Sequence, residues 1–282
     1  MYSLTVKNNR GDELNLTRSP DYTVYRVEGL APPPATINSS ANTTIDGSKI
    51  NSVKLESRNI VIYAKLEGDI EASRIALYKY FPLKQNVTVY FKNGRRNVHI
   101  TGAVESLECD LFENPQTAQI SILCPYPYFK DVNDLAVTFS DVTPAFTFPF
   151  SVSSTGKAFS TYIMNNRKLF VNTSDIETGL IIKLYATGTV VKPTIYEIIT
   201  GRKIRLNMTM QAGDTLIIDT TVYNKSITLI RNGVSTNALG YMIPDSDWLI
   251  VSAGDNVFTY ECESGASSLQ ITLTAPVLYS GV

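Results

Sequence analysis

Apolar and polar residues alternate with a period of two along most of the chain, and this pattern constrains the fold more than any other feature. Such alternation places apolar side chains on one face of an extended segment, so it predicts half-buried β-strands. The clearest examples are residues 4–6, 24–27, 53–56, 180–184, 215–219, 227–230, 257–260 and 269–273. In the second half the strands are short and separated by Gly, Asn and Asp turns, which predicts an antiparallel β-sandwich of jelly-roll type.

One segment has helical periodicity instead. The residues on its predicted apolar stripe are Ile70, Arg74, Leu77, Tyr78 and Phe81. Asp69 can cap the first turn, and Pro82 ends the helix. We therefore predict a single substantial α-helix over residues 69–81, packed on a sheet with Leu77, Tyr78 and Phe81 on its buried face.

Three further predictions concern local structure in the first half. Residues 87–92 and 98–101 form a predicted hairpin, in which Asn93-Gly94 supplies the positive φ angles of a tight primed turn. Residues 60–63 are all apolar, which predicts a strand buried on both faces. Residues 31–48 are predicted to form a long irregular arm, which leaves edges free to pair with another subunit.

The chain has 282 residues, a length that suggests two domains of roughly 150 residues each. Pro125 and Pro127 lack backbone donors, so the run 124–129 ends the first β region, and the polar stretch 130–134 is the predicted junction. We predict a β-sheet domain with one α-helix at 1–134 and a β-sandwich domain at 135–282. The closing segment 269–282 can return to pair with the first domain.

The net charge argues against nucleic acid as a ligand. The chain has 25 Lys and Arg residues and 26 Asp and Glu residues, for a net charge of −1, whereas a nucleic-acid-binding protein is typically basic. The dense basic spots Arg95-Arg96 and 202–205 are interpreted as solvated loop charges. No basic leader precedes an apolar stretch at the N-terminus, and the apolar run 142–156 is broken by Pro144 and Pro149. A soluble protein made in the cytoplasm is expected, with no membrane partner.

No catalytic, cofactor-binding or metal-binding residue is predicted. Cys109, Cys124 and Cys262 show no C-x-x-C spacing and are expected to be buried, reduced thiols. His99 is the single histidine, so it is expected to lie on a solvent face or in packing rather than in a zinc site or a Ser/His/Asp arrangement. Phosphate-binding loops are absent from the sequence.

Two alternatives to a purely structural chain stay open. Paired carboxylates could serve glycoside hydrolysis, and the candidates are Asp245 with Asp247 and Glu261 with Glu263. Trp248, the single tryptophan, is either a core residue or a platform on which a sugar stacks. The core position and exposed, non-catalytic carboxylates are the interpretations we adopt.

Several stretches in a fixed order resemble a known family. They are Tyr25 to Leu30, Pro32-Pro33-Pro34, Ile45 to Ser48, Ser57 to Ile60, Leu77 to Phe81, the hairpin at Asn93-Gly94, Gly102 to Glu108 and Cys124 to Phe129. In the second half they are Gly213-Asp214, Asp219-Thr220, Trp248-Leu249, Gly254 to Asn256 and Tyr279 to Val282. Together they look like the distal tail proteins of long-tailed bacteriophages with non-contractile tails, the Dit-type baseplate hub family.

The resemblance implies a structural function in the virion. Family members form a ring, usually a hexamer, that joins the tail tube to the tail-associated protein at the tail tip. The N-terminal domain builds the ring, and a galectin-like C-terminal domain projects outward and can dock receptor-binding proteins. We accordingly expect residues 1–134 alone to assemble and residues 135–282 alone to be monomeric, with no cofactor and no turnover of host cell wall.

Two other functions remain as alternatives. The first is a free-standing carbohydrate-binding β-sandwich protein, which would be a monomer that binds glycans. The second is a glycosidase acting on cell-wall polymers, which would lose turnover when Glu261 or Asp245 is changed. Oligomeric state in solution separates the first of these from a tail hub.

Overall fold

A computed structural model of the protein describes residues 2–41, 46–144, 160–164 and 167–282. The chain divides into two compact units, the first formed by Met1–Val132 with Leu278–Val282 and the second by Asn133–Val277. The main chain therefore passes between the units twice. The described residues are mainly β with one α-helix, so the predicted fold class is confirmed.

The first unit contains one large antiparallel sheet and a separate two-stranded ribbon. Its elements are β1 (Ser3–Asn8), β2 (Glu13–Asn15), β3 (Tyr22–Glu28), β4 (Ala35–Ala41), β5 (Ser48–Leu55), β6 (Arg58–Leu66), α1 (Ile70–Tyr80), β7 (Asn86–Lys92), β8 (Asn97–Cys109), β9 (Thr117–Cys124), β10 (Phe129–Asp131) and β27 (Leu278–Tyr279). The sheet has the order β2-β1-β7-β8-β9-β6-β3, and β10 pairs with both β8 and β27. Strand β10 shows that the proline run at 124–129 interrupts the β region of this unit without ending it.

The second unit is a sandwich of a six-stranded and a four-stranded sheet. Its strands are β11 (Leu135–Thr138), β12 (Ser140–Pro144), β13 (Ser160–Met164), β14 (Arg167–Asn172), β15 (Thr178–Gly179), β16 (Ile181–Ala186), β17 (Val190–Val191), β18 (Thr194–Glu197), β19 (Lys203–Arg205), β20 (Thr209–Met210), β21 (Thr215–Asp219), β22 (Ser226–Arg231), β23 (Val234–Asn237), β24 (Ile250–Val251), β25 (Gly254–Glu261) and β26 (Leu269–Ala275). The sheets have the orders β11-β26-β16-β21-β22-β23 and β14-β25-β18-β19, and three short ribbons flank them. Buried side chains from both sheets form one core, in which the Phe170 and Phe258 rings meet edge to face.

Two of the sequence predictions fall partly on residues that the structure does not describe. Positions 145–156 of the apolar run, and Ile45 of the family motif, lie outside the described residues. Within the described part of the chain, no helix is long and apolar enough to cross a membrane.

Helix α1 buries a narrower stripe than its periodicity predicted. The Asp69 carboxylate caps it by accepting the Ala72 N–H at 3.1 Å, and Leu77 and Phe81 are buried. Tyr78 is 46% exposed, so its predicted place on the buried face was wrong, and Ile70 is exposed as well. Because each residue turns a helix by about 100°, Tyr78 rotates away from the sheet when Leu77 faces it. The Tyr78 hydroxyl instead accepts a hydrogen bond from Arg74.

Phe81→Ala is expected to destabilise the first unit by about 3–5 kcal/mol, because it leaves a cavity beneath the end of α1. Phe81 is only 1% exposed and belongs to the core between α1 and the sheet. Tyr78→Ala is the matched control, since it removes a largely exposed aromatic ring from the same helix. Thermal unfolding followed by circular dichroism compares the two, and equal melting temperatures for Phe81→Ala and wild type would contradict the assigned packing.

The β7–β8 hairpin forms, but its turn is not the predicted primed type. Lys92 pairs with Asn97, so four residues make the loop, and neither Asn93 nor Gly94 has a positive φ. The Asn93 side chain accepts the N–H groups of Arg95 and Arg96 at 2.8 and 2.7 Å and stabilises the wider loop. Asn232-Gly233 does form a tight turn, with φ angles of 52° and 77°.

Two predictions for the first unit are corrected by the structure. In β6, Ile60 and Ile62 are buried while Val61 and Tyr63 are partly exposed, so the strand is buried on one face only. Within the segment 31–48, which was predicted to be an irregular arm, residues 35–41 instead form a regular strand that pairs with residues 48–55.

Candidate functional site

Arg58 is the most unusual residue of the first unit, because its side chain is fully buried and its donors meet carbonyl oxygens instead of a carboxylate. Its Nε and Nη2 atoms donate to the carbonyl oxygens of Pro127 and Ser280 at 2.7 and 2.6 Å. Nη1 donates to the carbonyl oxygens of Gly29 and Ala31. Burial lowers the pKa of Arg58, and the carbonyl dipoles take the place of a counterion.

Four of the family-like stretches meet at this guanidinium. They are the segments around Gly29, Arg58, Pro127 and Ser280. Gly29 has φ +79°, and a Cβ there would lie 2.0 Å from the Asn59 carbonyl oxygen, so only glycine fits. These four stretches therefore form one packing unit around Arg58, which we call the Arg58 clasp.

The clasp also holds residues 278–282, the C-terminal segment, on the first unit. The Arg96 guanidinium lies 4.1 Å from the centre of the Tyr279 ring and donates to the Gly281 carbonyl. The Val282 N–H donates to the Leu30 carbonyl oxygen at 3.1 Å. Arg96 was interpreted as a solvated loop charge, and the structure corrects this by placing it against the end of the chain.

The arm, defined as strands β4 and β5, starts directly after the clasp. Three prolines, 32–34, connect the clasp to the first strand of the arm and restrict the backbone there. At the base of the arm, the Glu56 N–H donates to the Pro34 carbonyl oxygen at 3.1 Å. Every residue of β4 is exposed, and so is every residue of β5 except Leu55, which is half-buried. An isolated two-stranded ribbon is marginally stable in water, so this arm needs a surface to cover it.

One face of the arm is apolar. Ile37 lies opposite Val53, and a bulge beyond them places Ile50 opposite Ser39 on the same face. Ile37, Ile50 and Val53 are 57%, 59% and 59% exposed. The opposite face is polar, and there the Asn38 amide donates to Ser52 at 3.0 Å. This amphipathic pattern is typical of a surface that another protein covers.

A second exposed apolar surface lies on the same unit, and we call it the acceptor patch. It consists of Ile75 and Tyr78 on α1 and of Leu111 and Phe112 in the loop between β8 and β9. Cys109, at the end of β8, interacts with Tyr78 and Arg74, which brings the helix alongside this loop. Phe112 is fully exposed, at 101%.

Two of the four carboxylates considered for catalysis lie at a polar groove of about 480 Å³ on the four-stranded sheet of the second unit. These two are Glu261 and Glu263, and Cys262 between them lines the groove as well. The Tyr196 hydroxyl donates to Glu261, and Lys192 pairs with Glu263 at 2.8 Å. The pKa of Tyr196 is raised to about 12, mainly by burial and to a smaller extent by the hydrogen bond to Glu261.

Asp245 is tied to the lysine and arginine that border this groove. It pairs with Arg205 at 2.9 Å and with Lys203 at 3.3 Å, so these two cations are held on a strand and are not the solvated loop charges expected. Burial alone would raise the pKa of Asp245, but the hydrogen bonds and charges of Lys203 and Arg205 lower it below its usual range. A glycosidase general acid needs a raised pKa, so Asp245 is unsuited to that role. Asp247 is exposed and does not line the groove.

The other singled-out residues lie in packing positions. His99 is half-buried, with its ring 5.5 Å from that of Tyr90. Trp248 is partly buried and packs against the core of the second unit. Among the described residues, no group of three or more His, Cys, Asp or Glu side chains is placed to hold a metal ion.

The three cysteines form no disulfide, but only Cys124 is fully buried as predicted. Cys109 and Cys262 are half-buried, because each lies near the end of a strand. Burial raises the pKa of Cys124 to about 12 and that of Cys262 to about 11, so both thiols are protonated at neutral pH.

Sequence reasoning missed Arg58 as a central residue, although a signal was present. Arg58 lies two residues before Ile60 and four before Ile62, so the strand alternation itself places its side chain on the buried face. An arginine at a position of the strand that alternates with buried residues predicts a buried guanidinium, and a buried guanidinium requires hydrogen-bond acceptors.

Comparison with known proteins identifies the second unit most directly. Residues 173–275 match the family model described as the siphovirus-type tail component, C-terminal domain. No curated protein matches the chain in sequence.

Solved structures from phage tails share the fold of the whole chain. The Dit protein of phage SPP1, described as a paradigm of hub adsorption apparatus in phages infecting Gram-positive bacteria, is 13% identical with a TM-score of 0.67, over 97% of this chain and 98% of that one. A chain of the phage P2 baseplate, activated with Ca, is 12% identical with a TM-score of 0.53 over 100% of both chains. A chain of the phage p2 baseplate, activated with Sr, is 11% identical with a TM-score of 0.55, over 97% of this chain and 98% of that one.

Residues 173–275 match the siphovirus-type tail component domain, and the whole chain is similar in fold to one class of proteins, the phage tail components. Within that class the chain resembles the Dit-type distal tail proteins, so the resemblance inferred from the sequence motifs is confirmed. The solved structures that share its fold are described as a hub adsorption apparatus protein and as phage baseplates.

Proposed function

We propose that this protein forms a hexameric hub ring at the distal end of the phage tail. The first unit builds the ring, which joins the tail tube to the tail-associated protein. The second unit, a galectin-like sandwich, presents a surface for receptor-binding proteins. The protein has no catalytic role and assembles in the host cytoplasm.

The observation that carries this proposal is the uncovered apolar face of the arm. Ile37, Ile50 and Val53 are all more than half exposed on a ribbon whose other face is polar. Burying aliphatic side chains of this size stabilises an interface by about 1.5–3 kcal/mol each. A head-to-tail contact of this kind closes a ring when the rotation from one copy to the next is a whole fraction of a full turn.

Light scattering and negative-stain imaging of the purified protein test the ring, and six-fold particles are the expected result. A monomer that binds glycans would contradict the proposal and favour the free-standing carbohydrate-binding protein instead. Release of reducing sugar or peptide from host cell wall by the purified protein would contradict the non-catalytic part.

Ile37→Thr/Val53→Thr is expected to weaken the ring while leaving the fold intact. Threonine retains strand propensity, and the exposed positions contribute little to folding of the single chain. A loss of about 1–2 kcal/mol per residue weakens each contact about thirtyfold or more, so dissociation occurs at a higher protein concentration. Analytical ultracentrifugation over a dilution series measures the shift.

The matched control is Val222→Thr/Val234→Thr, which changes two valines of the second unit that are 50% and 63% exposed. This control is expected to dissociate at the wild-type concentration. Equal dissociation of both double variants would show that the arm does not carry the subunit contact.

A further inference from the structure

We infer that the two units fold in a fixed order, in which the second unit folds first and the C-terminal segment then completes the first unit. The first unit consists of Met1–Val132 and Leu278–Val282, so part of it follows the whole of the second unit in the chain. Both sheets of the second unit are built from strands that lie between residues 133 and 277. The second unit therefore has every strand of its two sheets before residue 278 is reached, whereas the first unit is still incomplete.

The C-terminal segment supplies contacts that the rest of the first unit does not replace. The Leu278 side chain is buried, and β27 pairs with β10. The Ser280 carbonyl oxygen accepts from the fully buried Arg58 at 2.6 Å, so a missing segment leaves a buried charged donor without this acceptor. Gly281 packs against the base of the arm, where an added Cβ would lie 2.9 Å from Cδ of Pro32. The clasp and the base of the arm are thus complete only after the segment has docked.

The folded second unit holds the two ends of its own chain next to each other. Strands β11 and β26 are neighbours, and Leu135 lies opposite Ala275. In the first unit, Lys130 lies opposite Leu278 in an antiparallel pair as well. Two short connections therefore join one pair of neighbouring strands to the other, and they keep the C-terminal segment close to the strand on which it docks.

An unfolded second unit removes this advantage. The C-terminal segment is then attached to the first unit only through the flexible chain 133–277. The entropy lost on closing a flexible loop rises with the logarithm of its length, so docking across this loop is about a hundredfold less favourable than docking across the short connections. Folding of the second unit therefore raises the effective concentration of the segment by the same factor.

This order has a consequence for assembly, and that consequence rests on the proposed function. The clasp determines the direction in which the arm leaves the first unit, so a copy with an open clasp presents no correctly placed arm. Copies whose second unit has not folded are therefore kept out of the ring.

A circular permutant of the full chain tests the order. Tyr2 and Val282 line the same groove, so a short Gly-rich linker can join them. The permuted chain runs 278–282, linker, 2–277, and its C-terminal segment reaches the first unit without the second. Refolding of both chains is followed by pulsed hydrogen exchange with mass spectrometry. In the natural order, peptides from β6 and β9 are expected to gain full protection no earlier than those from β16 and β21, whereas in the permutant they gain it independently.

Phe258→Leu tests the same dependence at equilibrium, because Phe258 is fully buried in the core of the second unit and its replacement destabilises that unit. At a urea concentration that unfolds the second unit of this variant, protection of the first unit is expected to fall about a hundredfold in the natural order and to stay unchanged in the permutant. Tyr223→Leu is the matched control, since Tyr223 is 87% exposed in the same unit. It is expected to match the parent protein in both chain orders.

Two results overturn the inference. The first is full protection of β6 and β9 before the second unit gains any, which is measured on the natural chain and does not depend on the permutant. The second is an equal response of the first unit to Phe258→Leu in both chain orders. A protein that folds in the expected order but forms no ring overturns the proposed function and leaves the folding order standing.

Discussion

Arg58→Ala is expected to unfold the first unit well below the temperature at which the wild-type unit unfolds. The substitution removes the donors of four hydrogen bonds to backbone carbonyls. It also removes a guanidinium that lies 4.5 Å from the centre of the Phe129 ring. Each buried carbonyl oxygen left without a donor costs about 1–3 kcal/mol, so the loss is a large part of the stability of a typical domain.

Hydrogen exchange with mass spectrometry measures this effect unit by unit, since it reports each segment separately. Peptides from β6, β9 and the C-terminal segment are expected to exchange faster in Arg58→Ala, while those of the second unit are unchanged. Arg95→Ala is the matched control, because Arg95 is an exposed arginine of the same unit. Arg58→Lys is expected to give an intermediate result, because an ammonium group cannot reproduce the guanidinium fork. Wild-type exchange in Arg58→Ala would contradict the role of the clasp.

Deleting residues 278–282 is expected to destabilise the first unit as strongly as Arg58→Ala and to lower its solubility. The deletion removes the buried Leu278 side chain and the pairing of β27 with β10. It also removes the carbonyl oxygens of Ser280 and Gly281, to which Arg58 and Arg96 donate. The edge of β10 that β27 covers would then be free to pair with other chains.

Soluble yield and the melting temperature of the first unit measure the result. Arg95→Ala is again the control, because Arg95 is an exposed arginine of the same unit. The same reasoning applies to the first unit expressed alone. The sequence alone led us to expect that residues 1–134 assemble by themselves. Because Leu278–Val282 belong to the first unit, we replace this expectation: the fragment is expected to assemble only when residues 278–282 are supplied through a linker. A 1–134 fragment as stable as the unit in the full chain would contradict this.

The arm connects these folding effects to assembly. Its base at 32–34 follows directly on Ala31, whose carbonyl oxygen accepts from Arg58 at 2.6 Å. The clasp therefore determines the direction in which the arm leaves the unit. Variants that weaken the clasp are for that reason expected to weaken the ring as well, whereas variants on the apolar face of the arm act on the ring alone.

Much of this fold could be predicted because its causes are local. Period-two alternation predicted the strands, and the Asp69 cap with Pro82 predicted where α1 begins and ends. The face that α1 buries was predicted less well, because Leu77 and Tyr78 are both apolar enough to face a sheet. The sheet contacts the side of α1 that carries Ser73 and Leu77, where the Tyr22 hydroxyl donates to the Ser73 carbonyl at 2.8 Å. Tyr78 lies about 100° around the helix from Leu77 and therefore stays outside the core.

The sequence by itself determined a mainly β chain with one helix, the family it resembles and the acidic and basic character of its surfaces, since each depends on composition or short-range spacing. Only the tertiary structure decided the partners of Arg58, because its acceptors lie as far as 222 positions away along the chain. It likewise decided that Asn93-Gly94 forms a wide loop while Asn232-Gly233 forms a tight one. The same dipeptide is compatible with both turns, and the register of the flanking strands selects between them.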